Sequence, residues 1–181
     1  MPLNVGYLTA KTDKASDETY TPRYAVLPLL KYVDSNKTIW CPFDTDDSEY
    51  VQVFKEYGYN VIYSHIDNGQ NFFEYEPNEN YDIIISNPPF SIKDAILKRC
   101  NELNKPYALL LPLPTLQGKE RFSDLIGTQA LIFDKRISYF RDKSKTNLQT
   151  GASFASIYIG KHFLPSDLIF EELDTSEIIT N

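Results

Sequence analysis

Two short runs constrain this chain more than any other feature. Ile83-Ile84-Ile85 and Tyr107-Ala108-Leu109-Leu110-Leu111 carry no charge and no alternation. They are short for helices and too apolar for strands with one wet face. Such runs read as strands buried on both faces, the kind found in parallel sheets covered by helices. Each run soon meets proline, at Pro88-Pro89 and at Pro112.

The flanking segments fit that architecture. Residues 22–33 start with Pro22 and carry Ala25, Val26, Leu29 and Leu30 at helical spacing. Thr38–Cys41 reads as a strand ending at Pro42. Ser48 reads as the cap of a helix with Tyr50, Val51, Phe54 and Tyr57 on its apolar side, stopped by Gly58. Asn60–His65 is a second strand and Asp82–Ser86 a third. Ser91-Ile92-Lys93-Asp94 resembles a capping box, followed by Ala95, Ile96, Cys100 and Leu103 on one face. After the strand Tyr107–Leu111, Leu116–Ile126 reads as helix. Ala130–Phe133, Ile137–Phe140 and Phe154–Ile159 read as strands. Strands alternate with helices and then crowd at the end. The expected fold is a Rossmann-like, three-layer α/β/α domain with a mostly parallel sheet and antiparallel C-terminal edge. Ligands bind such sheets at the carboxyl ends of the strands, where Pro42, His65, Asn87 and Pro112 fall.

Composition narrows the function classes. The 181 residues suit one domain, with an acidic and flexible tail expected from about residue 166. No run of about 18 apolar residues suggests a membrane span, and the first residues lack the pattern of a secretory signal. Cys41 and Cys100 stand far apart, and only His65 and His162 are available as imidazole ligands. A reduced cytoplasmic protein without a metal site is expected. The net charge of −7 is a poor overall footprint for a nucleic-acid binder. The distribution is uneven, however. Seven basic and four acidic residues lie between Lys119 and Lys145, whereas residues 166–181 hold five acidic and no basic ones.

The exit Ser86-Asn87-Pro88-Pro89-Phe90 is over-specified for a plain turn. Asn87 offers a carbonyl acceptor on a short side chain. Pro88 offers a backbone carbonyl with φ fixed, and Phe90 a flat apolar face. Two acceptors and a ring can grip a planar group bearing an amine. An amine conjugated to a base is a poor nucleophile, because its lone pair is delocalised. Acceptors holding its hydrogens pull the nitrogen toward tetrahedral geometry, so position and electrostatics replace a strong base.

Asn-Pro-Pro-Phe after an apolar strand resembles the catalytic motif of the S-adenosylmethionine-dependent amino methyltransferases, above all those acting on N6 of adenine in DNA. The resemblance implies a flipped adenine. Its amine would be bound by Asn87 and the Pro88 carbonyl, with Pro89 stiffening the turn and Phe90 stacking on the base. Tyr20-Thr21-Pro22 resembles the family segment at the methionine end of the cofactor. Asn71-Phe72-Phe73 resembles the segment near its adenine, with Asn in place of Asp. The likeness spans roughly residues 18–165. It also suggests a phage or restriction setting.

Two departures from the family pattern stand out. The loop after the first strand, Cys41-Pro42-Phe43-Asp44-Thr45-Asp46-Asp47-Ser48, keeps Pro42 and Phe43 but has no glycine. Asp44 either faces the cofactor's ammonium or belongs to an acidic helix start. The second strand ends in His65 rather than an acidic residue, with Asp67 as a substitute for the ribose hydroxyls. No segment is large enough for a separate recognition domain. Lys119, Arg121, Lys135, Arg136, Arg141, Lys143 and Lys145 are the candidate phosphate contacts, and Thr146–Gly151 a loop that could touch a groove. Two other readings stand beside a DNA methyltransferase. One is a catalytically silent fold that binds nucleic acid or protein; the other is an enzyme acting on RNA or another planar amine.

Overall fold

A computed structural model describes residues 19–149 and 154–179. Seven strands form one sheet: β1 (Thr38–Cys41), β2 (Asn60–Tyr63), β3 (Ile83–Ser86), β4 (Tyr107–Pro112), β5 (Gln129–Phe133), β8 (Ser156–Lys161) and β9 (Leu168–Glu171). Their order across the sheet is β2-β1-β3-β4-β8-β5-β9. The pairs β1–β2, β1–β3, β3–β4 and β5–β9 are parallel; β8 runs antiparallel to both β4 and β5. The sheet is thus mostly parallel with antiparallel pairing in its C-terminal half, a Rossmann-like α/β arrangement. β6 (Tyr139–Phe140) and β7 (Leu148–Gln149) make a separate two-stranded hairpin.

Both sheet faces are covered. Ile39, Cys41, Ile83, Ile85, Ala108 and Leu110 face one core, shared with α1 (Arg23–Val26) and α2 (Glu49–Glu56). Trp40, Ile84, Leu109 and Leu111 face the other, shared with α3 (Lys93–Leu103). Successive residues of β1, β3 and β4 therefore serve opposite cores, which is why those runs lack polar alternation. Gly160 permits the reversed strand to lie close. A Cβ there would sit 1.8 Å from the Tyr107 carbonyl oxygen.

Several expected elements differ. The helix over 22–33 is α-helical only to Val26 and continues as a 3-10 helix, Leu27–Lys31. Pro28 lacks the N–H that an α-turn needs. Ser48 stands at the N-cap of α2, but its hydroxyl donates to Asp44 Oδ1 at 2.6 Å instead of accepting from the helix. The N-cap of α3 is Ile92 rather than Ser91, because residues 90–92 form a 3-10 turn first. The helix expected over Leu116–Ile126 shrinks to α4 (Phe122–Leu125), preceded by the 3-10 turn Leu113–Leu116. Ile137–Phe140 supplies only the two residues of β6, outside the main sheet.

The stretch from about 166, expected as a flexible tail, instead adds β9 and packs back on the domain. Leu173 is 1% exposed, its N–H donating to Asp134 Oδ1 at 2.8 Å. Arg23, also buried, reaches Glu177 at 2.9 Å and Glu56 at 2.8 Å, and its N–H donates to the Ile178 carbonyl. Of the tail's acidic residues, Glu177 thus meets a buried cation that it shares with Glu56 of α2. Among the described residues, no helix is long and apolar enough to cross a membrane.

Candidate active site

The carboxyl ends of β1, β2 and β3 open into one cavity of about 380 Å³. That volume is in the range of roughly 300–1,000 Å³ usual for small-molecule sites. Its walls bring together most of the residues expected from the sequence: Tyr20, Thr21, Pro42, Phe43, Asp44, His65, Asp67, Asn71, Phe72, Asn87, Pro88 and Pro89. Pro22 is not in the wall. It precedes α1 in extended conformation (φ −75, ψ 154) and aims the chain into the helix.

The loop after β1 is held from both sides. The Ser64 N–H donates to the Cys41 carbonyl at 3.1 Å, and the Asp44 N–H to the Ser64 carbonyl at 3.2 Å. Trp40 Nε1 donates to Ser64 Oγ at 3.0 Å. Asp44 is buried, its Oδ1 accepting from Ser48 Oγ and its Oδ2 from Ser86 Oγ at 2.5 Å. Burial pushes this carboxyl up to about 6, against the pull of the two serine hydroxyls. Each carboxylate oxygen keeps a second lone pair able to accept a further donor. The loop lines the cavity without filling it, although it has no glycine. Asp44 is a wall residue tied both to Ser48 at the start of α2 and to Ser86 at the end of β3.

At the end of β2, His65 begins a 3-10 turn, Ile66–Asn68, and its Nδ1 accepts from the Asp67 N–H at 3.2 Å. The Asp67 carboxylate is exposed and stands 3.5 Å from the same nitrogen. Asn71 Oδ1 accepts from the Phe73 N–H at 3.2 Å. This bond fixes a turn that buries Phe72 against Phe43 and Trp40, with ring centroids 4.9 and 5.5 Å apart. The result is one apolar wall beside two polar side chains.

Asn87 follows β3 directly. Its Nδ2 donates to the Thr19 carbonyl at 3.2 Å. A carbonyl accepts only from the amide nitrogen, so this bond decides which end of the side chain is the oxygen. Oδ1 is enclosed and has no hydrogen-bond partner among the described residues. Thr21 Oγ1, on a wall residue of the same cavity, is also enclosed without one. Leaving such a group unpaired costs about 1–3 kcal/mol, which a ligand donor would recover. Phe90 lies outside the cavity wall. Its ring packs edge-to-face against Phe154 at 5.4 Å and 89°, and against Tyr139 at 6.5 Å. This aromatic cluster was not legible in the sequence, because Tyr139 and Phe154 lie far along the chain.

The basic residues of 119–145 do not form one patch. Lys143 and Lys145 reach the cavity mouth. Lys145 Nζ donates to Glu49 Oε1 at 2.5 Å and to the Asp47 carbonyl at 2.6 Å; Lys143 stands 3.9 Å from Asp47. Arg121 pairs with Asp94 at 2.6 Å, Lys135 caps the Leu173 carbonyl, and Arg141 donates to Gln149. Lys119 and Arg136 are exposed. Thr150 and Gly151 of the polar loop fall outside the described residues. Among the described residues no three His, Cys, Asp or Glu side chains are grouped to hold a metal. The chain matches no model of a known protein family, and no curated protein sequence is significantly similar to it.

Proposed function

We propose that this protein transfers a methyl group from S-adenosylmethionine to the N6 amine of adenine in DNA. The observation that carries the reading is the Asn87 amide. Its nitrogen is committed to Thr19, and its oxygen is an unpaired acceptor on a cavity-wall residue at the end of a buried strand. An N–H donor on the ligand satisfies it.

The residues present suit the cofactor. Phe43 and Phe72 offer an apolar face for its adenine, with Asn71 beside them. Asp67 and His65, wall residues after β2, would bind the ribose hydroxyls, and Tyr20, Thr21 and Asp44 would hold the methionine end. S-adenosylmethionine, when bound, supplies an electrophilic methyl on a cationic sulfur. The work of the chain is then electrostatic. Asn87 Oδ1 and the Pro88 carbonyl accept the two amine hydrogens, which localises the nitrogen lone pair; the proton released after transfer passes to water, since these neutral oxygens are too weakly basic to keep it. Pro88 and Pro89 restrict the turn, so these acceptors do not have to be ordered at the moment of reaction. Phe90 packs against Phe154 and Tyr139 outside the cavity wall, so its stacking on the base rests on the motif resemblance alone.

The test begins with calorimetric titration of the purified chain with S-adenosylmethionine, where dissociation constants on the order of micromolar are expected. Transfer of labelled methyl to adenine is then measured on DNA and on RNA. Activity on DNA that disappears in Asn87→Ala agrees with the reading, and activity retained in that variant contradicts it. Transfer to RNA alone moves the substrate class. Absence of cofactor binding favours the silent fold, in which the same cavity serves recognition only.

A further inference from the structure

The acceptor that the proposed chemistry needs is shut away. Asn87 Oδ1 is enclosed although Asn87 belongs to a cavity wall. The segment lying against that amide is residue 19, whose carbonyl binds Nδ2. Its neighbour Tyr20 is tied to Phe140 through both backbone groups. The Tyr20 N–H donates to the Phe140 carbonyl at 3.0 Å, and the Phe140 N–H to the Tyr20 carbonyl at 2.9 Å. Phe140 is the last residue of β6, so residues 19–21 are tied to the β6–β7 hairpin.

The tip of that hairpin is fixed in turn. The Asp142 carboxylate accepts from the N–H groups of Thr146 at 3.0 Å and Asn147 at 2.7 Å. Lys145 is held at φ 54, a conformation that residues with a Cβ rarely adopt. That geometry delivers its ammonium to Glu49 at the start of α2. The Glu49 side chain is 1% exposed and that of Lys145 16%, so the pair is shielded from solvent. Enclosed pairs resist separation far more than surface pairs do.

We infer that residues 19–21 and the β6–β7 hairpin form a strap across the cavity, latched by the Glu49–Lys145 ion pair, and that this strap must lift before an amine reaches Asn87 Oδ1. The inference deepens the proposed function and rests on it for the identity of the amine. It also assigns the key. Lys143 and Lys145 are the two cations at the cavity mouth, and a phosphodiester arriving there offers Lys145 an anion in place of Glu49. A polynucleotide thus releases the latch that excludes its own base. Glu49, Lys145 and Thr19 are positioning residues, acting through Asn87.

Amide hydrogen exchange on the full chain tests the latch without any ligand. In Glu49→Gln and in Lys145→Met, exchange at Tyr20 and Phe140 rises by at least about tenfold, while β1, β3 and β4 keep their protection. Lys145→Arg keeps the wild-type pattern, and the reversed pair Glu49→Lys with Lys145→Glu recovers most of it. Unchanged exchange at Tyr20 and Phe140, or an equal rise in every strand, overturns the latch. The gating role is read from association of a fluorescent oligo-deoxyadenosine. Glu49→Gln, which frees the cation, associates several-fold faster than wild type, whereas Lys145→Met does not. In Glu49→Gln, which keeps the cation, faster exchange without faster association overturns the gate. Absence of oligonucleotide binding in every sample counts against the DNA reading, and exchange still decides the latch.

Discussion

Ser86 Oγ donates to Asp44 Oδ2 at 2.5 Å, so the last residue of β3 and the loop after β1 share one buried carboxylate. The relationship links the two strand ends that form the candidate site. It also makes the site sensitive to pH, because burial holds that carboxyl up near 6.

Ionised Asp44 is the form that attracts a cationic ligand. Affinity for S-adenosylmethionine is expected to fall about tenfold per unit as pH drops below about 6, and to be flat in Asp44→Asn. Calorimetry between pH 5 and 8 reads both. Ser86→Ala removes a donor to the charged form, so the midpoint moves upward. Stability runs the other way. A raised carboxyl favours the folded state below its unfolded pKa and loses that advantage as pH rises through about 6. Asp44→Asn should therefore gain on wild type by roughly 2–3 kcal/mol between pH 4 and 7, measured by urea unfolding.

His65 accepts the Asp67 N–H through Nδ1, a role that a short carboxylate fills equally well. His65→Asp keeps that cap and adds a bidentate acceptor at the end of β2. Cofactor affinity is expected to rise about tenfold, and a weaker or equal affinity would show that His65 serves the ligand as it stands.

Gly160 lies where β8 crosses close to β4, and no side chain fits against the Tyr107 carbonyl. Gly160→Ala must push the two strands apart. A loss of roughly 3 kcal/mol or more is expected in chemical denaturation. A change below 1 kcal/mol would mean that the sheet relaxes there freely.

Arg23 is the cation on which the acidic C-terminal segment docks. Arg23→Met leaves Glu56 and Glu177 half-exposed and able to hydrate, but it cuts both tethers. Limited proteolysis should then cleave near residues 174–177 faster than in wild type, with a stability loss of about 1–3 kcal/mol. Glu177→Gln alone should cost under about 1 kcal/mol, because that carboxylate faces solvent.

The sheet was legible where burial dictates residue type. β1, β3 and β4 stand where the apolar runs place them, since strands between two cores admit little else. The helices were less legible. Pro28 and Gly118 interrupt segments whose apolar spacing is helical, and a local break outweighs periodicity there. β9 was missed because Leu168 and Phe170 alternate with neighbours inside an acidic stretch, and composition masked the pattern. At the site, Asn87, Asp44 and Phe72 were named from motif chemistry and do meet in one cavity. Thr19, Glu49 and the pairing of Tyr20 with Phe140 were not, because partners 68, 96 and 120 residues apart leave no local mark.

The reversed strand β8 fills the slot between β4 and β5, yet it is made after both. A nascent chain that has emerged only as far as residue 150 therefore holds β1 to β4 as a sheet with an open edge, while β5 has no neighbour. The sheet cannot close until residues 156–161 arrive, and the last strand to pair with β4 is the one that joins the halves. The domain is completed from within rather than extended at its rim, so any fragment lacking that segment exposes a strand edge ready to pair with another chain.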